Sequence, residues 1–253
     1  MRREHIVELG TALSRARRLG RLCSADLRSI PSMEDARRVQ DAAIAHYGGQ
    51  VCGYTLAASF ADAACRLNCF RPLVGRLPDE HDLDAGARLQ LPHAALGVGP
   101  EFVFRVGAPL PNPVALQSVH DAIVCCHVGL QLLGRRVSHS PLNEWSATAD
   151  FGLDAACVRG PRIEGWEGLT FAGVEGRLEL NSAVVATRGG EDALAASIAA
   201  VHWLARDLQE RGMELLPGDV VAAGSFMGLT QIVPGQRVRA SFGRFGEVDL
   251  HVE

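Results

Sequence analysis

Apolar residues recur at three- and four-residue intervals at Ile6, Leu9, Leu13 and Ala16, which predicts an amphipathic opening helix. Ser32-Met33-Glu34-Asp35 resembles a capping box; Ala36, Val39, Ala43 and Tyr47 follow at helical spacing and Gly48-Gly49 stops the element. Two helices thus precede the first strand, expected over 50–59 (QVCGYTLAAS). Residues 60–98 alternate short apolar pieces with Pro72, Gly75, Pro78 and the acidic run DEHDLD, and read as a loop-rich stretch, a candidate lid. EFVFRV at 101–106 has strand composition and ends at GAPLPNP, whose three prolines forbid regular structure. Residues 114–134 read as a buried helix, with Val114, Leu116, Val119, Ile123 and Leu130 in the core.

From Asp150 the pattern turns mostly to strand. Leu178 and Leu180 alternate with Arg177 and Glu179, Asn181-Ser182 suits a hairpin turn, and Val184-Val185 returns. One long helix interrupts this region: Leu194, Ile198, Val201, Leu204 and Leu208 share a face between the GGED start and Gly212. The tail shows Val238, Ala240 and Phe242, then Val248, Leu250 and Val252, at the two-residue period of strands.

With 253 residues, 47% of them hydrophobic, the chain can bury a large core, and no apolar run approaches the roughly 20 residues of a membrane span. Met1-Arg2-Arg3 leads into a mixed helix rather than a secretory apolar segment, so a cytoplasmic location is expected, without a membrane partner. The net charge of -4 gives no electrostatic case for nucleic acid, and the basic run Arg15, Arg17, Arg18, Arg21 reads as a solvated helix face. Seven irregularly spaced cysteines form no Cys-x-x-Cys pair and read as small core residues. All 25 cationic residues are arginine, which excludes Schiff-base chemistry on a lysine.

Generic catalytic signatures are missing. GSFMG at 224–228 is not Gly-x-Ser-x-Gly, and LGVGPE at 96–101 lacks the last glycine of a dinucleotide loop. His120 and His127, seven apart on the expected helix, lack a nearby carboxylate pair for metal ligation.

The order of short blocks is more telling: SMEDARRVQ at 32–40, GYTLAAS at 53–59, RPLVG at 71–75, EFVFRVG at 101–107, LLGRRV at 132–137, ADFGLDAACVRG at 149–160, then VHWLARDLQERGMELLPGDVVAAGS. In this order the chain resembles the 2-keto-4-pentenoate hydratase and 4-oxalocrotonate decarboxylase family, relatives of the C-terminal domain of fumarylacetoacetate hydrolase. The resemblance implies an α+β fold, with a helical N-terminal portion (1–70) carrying the first strand and a mixed β-roll (71–253). It also implies a homo-oligomer that hydrates or decarboxylates a small 2-oxo or 2-hydroxy-dienoic acid from aromatic catabolism. A magnesium or manganese ion would chelate the acid and stabilise enolate charge.

Carried over position by position, the family's metal comes from a Glu-x-Glu on the strand and a third glutamate on the following helix. Here Glu101 keeps the second, while Gly99 and Gln131 stand at the first and third, so the implied metal set is Glu101 with Gln131. The family's early-strand lysine falls at Thr55. In the Asp-Asn-x-Ser stretch Asp150 persists, Phe151 replaces the amide, and Leu153 or Asp154 replaces the serine. Glu101, Asp150 and Asp154 are therefore the candidate acids and bases, and Thr55, Phe151 and Ser225 the candidate substrate contacts. Losing two charges against a dication weakens a hard-cation site. Three readings follow: a divergent lyase, a non-metal binding or assembly protein, or a metal-free enzyme with a new substrate.

Overall fold

The computed structural model describes residues 1–91, 94–138 and 143–253. Helix α1 (Arg3–Leu19) buries Ile6, Leu9 and Leu13 against Ala36, Val39 and Ala43 of α2 (Met33–Tyr47). The Ser32 hydroxyl caps α2 by accepting from the Asp35 amide at 3.1 Å. Asp35 is too short to complete a capping box and pairs with Arg38 instead.

Strand β1 (Val51–Ala57) is followed by α3 (Ala61–Leu67), β2 (Leu73–Pro78), β3 (Asp82–Asp84) and β4 (Ala87–Leu89). The expected loop-rich lid is thus largely regular structure: Pro78 ends β2, and Gly75 lies inside that strand in close contact with Thr55 and the Phe151 carbonyl. Strand β5 (Ala94–Val106) runs on through Glu101. A second correction concerns 114–134, where a short α4 (Leu116–Ala122) gives way to the long strand β6 (Ile123–Arg135). β6 lies inside a sheet and is buried on both faces along most of its length, so its apolar run carries no two-residue alternation to distinguish it from a buried helix. Gln131 and His127 therefore lie on a strand, and His120 on α4, so the two histidines share no helical face.

Helix α5 (Glu144–Ala149) leads through a tight turn into β7 (Asp154–Arg162). The hairpin β8 (Gly176–Leu180) and β9 (Ala183–Arg188), α6 (Ala193–Glu210), β10 (Val220–Ala223), β11 (Arg237–Ser241) and β12 (Glu247–Val252) complete the chain. Asn181 and Ser182 both have positive φ, as a two-residue hairpin turn requires.

Seven strands form a mixed sheet in the order β2-β1-β10-β5-β6-β7-β3, and five form a second in the order β4-β12-β11-β8-β9. The expected α+β architecture is borne out. One face of the larger sheet meets the smaller sheet and α6 over an aromatic core. Phe102 stacks on Phe226 at 5.7 Å and meets Phe242 edge-on at 5.4 Å, a geometry that favours ring quadrupoles. The opposite face carries Leu77, Val103, Cys157, Val220 and Ala222, which pack together. With the sheet curled so that β2 and β7 approach across it, this second face becomes an enclosed lumen.

No helix among the described residues is long and apolar enough to cross a membrane.

Candidate functional site

The strand register sets the lumen residues. Gly99 on β5 lies opposite Gln131 on β6, and Gln131 lies opposite Cys157 on β7; Glu101 is paired with Gly129. Alternation then points Gly99, Glu101, Gln131 and Cys157 to the same face. Thr55 on β1 pairs with Ala222, which pairs with Val103, placing Thr55 on that face as well.

Gly99 decides what this lumen can hold. A Cβ built there would lie 1.7 Å from the Ser225 hydroxyl oxygen, so the space into which a side chain would project is already taken. Ser225 is fully buried and donates to the Gly228 carbonyl across its own turn. Gln131 is locked similarly: its amide donates to the Leu56 carbonyl at 3.2 Å, and its carbonyl oxygen lies 2.4 Å from the position of a Cβ on Gly224. That oxygen has no donor.

Glu101 is completely enclosed, and neither carboxylate oxygen has a hydrogen-bond partner. The Cys157 thiol lies alongside but is a weak donor. Burial pushes the carboxyl well above its ordinary value, with the charges of Asp154 and Asp82 adding to the effect. An isolated carboxylate in such a place costs several kcal/mol, so the enclosure favours the neutral acid. The same burial drives the Cys157 thiol up, beside Glu101.

The neighbouring acids differ from Glu101 in having a cation each. Asp154 accepts from Arg17 at 2.7 Å, with both side chains buried. Asp150 accepts from the Arg136 backbone at 2.7 Å and from its guanidinium at 3.1 Å. Asp82 lies 3.4 Å from Arg159. Burial raises the carboxyls of Asp150 and Asp154, and the paired arginines counteract it.

Phe151 lies between Arg17 and Arg136, whose guanidinium carbons are 4.6 and 5.4 Å from its ring centre. It therefore acts as the plate on which two cations rest. Phe151, Gly152 and Leu153 all have positive φ, and Gly152 lets this turn sit directly on the backbone of Gly75. Thr55, the Phe151 carbonyl and Asp154 converge around Gly75, where the Thr55 hydroxyl has no partner.

The structure thus places Thr55, Glu101, Gln131, Asp154 and Ser225 in or beside one lumen, with Asp150 and Phe151 in the turn that closes it. Sequence reasoning missed Arg17. It stands four residues after Leu13, on the buried stripe of α1, and that spacing sets it apart from its neighbours Arg15, Arg18 and Arg21, which are exposed as expected.

The residues do not fit a hard divalent cation. Such an ion wants several anionic oxygens in an open cage. Glu101 is the sole carboxylate among the three implied positions, Gly99 supplies no ligand, and Ser225 fills the gap. Among the described residues no three His, Cys, Asp or Glu side chains are grouped to hold a metal ion.

No protein-family model matches the sequence. Among solved structures, 4-oxalocrotonate decarboxylase from Pseudomonas putida G7, complexed with magnesium and adipate, superposes with a TM-score of 0.87 at 20% identity over 100% of this chain and 99% of that one. Fumarylpyruvate hydrolase from Pseudomonas aeruginosa, in complex with Mn2+ and pyruvate, matches at TM-score 0.56 and 16% identity over 81% of this chain and 89% of that one. The 5-carboxymethyl-2-hydroxymuconate delta-isomerase from Mycobacterium smegmatis matches at 0.55 and 20%, covering 81% and 80%. The chain has the fold of the fumarylacetoacetate hydrolase superfamily, as its sequence resemblance implied. At these identities the fold is what is shared.

Proposed function

We propose that this protein is a metal-independent member of the superfamily that serves as a binding or assembly protein, its ancestral oxo-acid site having been converted into packed interior. The observation that carries this reading is the occupation of the Gly99 side-chain space by Ser225, beside a Glu101 that is buried and without a cation. Arginine pairing of Asp150 and Asp154 supports it, because neither acid is left free to replace a missing ligand. In this reading the protein works in the cytoplasm as a homo-oligomer, without nucleic-acid or membrane partners.

The test is turnover of 2-hydroxypenta-2,4-dienoate, followed as loss of dienol absorbance, with magnesium or manganese supplied in excess. The expected result is no loss above the uncatalysed rate. Metal-dependent turnover abolished by Glu101→Gln would overturn the reading.

One observation favours a second reading, a metal-free lyase acting on a small 2-oxo or 2-hydroxy-dienoic acid. A neutral, unpartnered Glu101 close enough to Asp154 to be raised by its charge is an arrangement suited to a general acid. Turnover unaffected by a chelator but lost in Glu101→Gln would distinguish it.

A further inference from the structure

A cleft of about 360 Å³ is lined on one side by the C-terminal end of α1. Its walls combine guanidinium groups with aliphatic surface. Arg17, Arg21, Arg135 and Arg136 line it, and Leu89 and Leu132 supply apolar wall. Glu253 is the acid at its rim, 3.7 Å from Arg88. His81, also in the wall, is held down to about 3 by burial and by the charges of Arg17 and Arg136, so it is uncharged at neutral pH.

Two features mark this cleft as a receptor for an anion. The first is charge: Arg17 and Arg136 are paired with Asp154 and Asp150, whereas Arg21 and Arg135 form no ion pair among the described residues. The second is lining: guanidinium groups and aliphatic side chains face one space, the pairing that an acid with an apolar body requires. The helix end does not repel an anion strongly, because the Ala16 and Arg17 carbonyls already accept from the backbone amides of Arg21 and Gly20.

We propose that this cleft binds a small organic acid, its carboxylate held by the Arg21 and Arg135 guanidinium groups and its apolar body lying on Leu89 and Leu132. Volume and lining agree with a metabolite-sized ligand. The proposal gives a site and a ligand class to the binding function above, and it rests on that reading only for its biological meaning, since Thr55, Glu101, Gln131, Asp154 and Ser225 do not line the cleft.

The experiment is calorimetric titration of the full chain with sodium hexanoate at low ionic strength. Saturable binding is expected, with Arg135→Gln weakening it about tenfold or more, as loss of a charge-assisted contact should. Exposed Arg21→Gln should weaken it a few-fold, and added salt should weaken it further. Leu89→Trp, which fills the cleft without altering charge, should abolish binding. Inorganic phosphate, without an apolar body, should bind at least about tenfold more weakly.

Absence of saturation with the folded protein, unchanged affinity in both Arg135→Gln and Leu89→Trp, or phosphate binding as tight as hexanoate would each overturn the proposal. Failure here without metal-dependent turnover strikes the cleft alone. Hexanoate binding together with metal-dependent dienoate turnover strikes the metal-independent reading and leaves the cleft standing.

Discussion

Replacing Glu101 by glutamine removes a titration while nearly preserving shape, and the variant should become more stable than the wild type by an amount that grows with pH. Glu101 is fully enclosed, and burial holds its carboxyl well above its ordinary 4.5. In the unfolded chain the same group ionises freely above that pH. A raised folded value contributes stability that is complete below the unfolded value and is lost as pH rises toward the folded one. Each pH unit in that window therefore costs the wild type about 1.4 kcal/mol.

His81 works the other way. Held down to about 3, it contributes stability above its ordinary 6.5 and loses it as pH falls below that value. The two slopes oppose one another in the wild type where the windows overlap, so the informative quantity is the difference between the two proteins, from which His81 cancels. Urea denaturation at about pH 4.5, 5.5, 6.5 and 7.5 measures it through the midpoints. A difference that stays constant with pH, or a variant less stable than wild type at the highest pH, would refute the assignment of Glu101 as a neutral buried acid.

Asp154→Leu leaves Arg17 buried without its anion and should cost about 3–5 kcal/mol, whereas the same change combined with Arg17→Met should cost clearly less. A double-mutant cycle by urea denaturation reads this, and additive losses would contradict it. Gly99→Ala forces a methyl group into the Ser225 hydroxyl and should destabilise by about 1–3 kcal/mol, with Ser225→Gly in the same chain recovering most of the loss. Equal melting of Gly99→Ala and wild type would show that the space is open.

The elements with one exposed face were legible in the sequence. α1, α2 and α6 each alternate buried and solvated residues at helical period, and β11 and β12 do so at period two. β6 was not, because Val128 to Gly134 is buried on both sides and its period is silent; Gly129 and the β-branched Val124 and Val128 were the available signs of a strand. Thr55, Glu101, Gln131, Asp154 and Ser225, the positions named from the resemblance, lie in or beside one lumen. What filled the space between them was not legible. That Ser225 faces Gly99 depends on a turn after β10 meeting β5, and that Arg17 reaches Asp154 depends on a helix and a strand 137 residues apart in sequence.

The central claim, that arginine pairing and packing have replaced a metal in this lumen, is tested most directly by manganese binding. Titrating Mn2+ into the full chain and following free hexaaqua Mn2+ by electron paramagnetic resonance measures it without need of a substrate. The account predicts that the free-ion signal stays undiminished at equimolar protein near 100 µM, with or without oxalate as a chelating acid. One manganese bound per chain, released by Glu101→Gln, would contradict it.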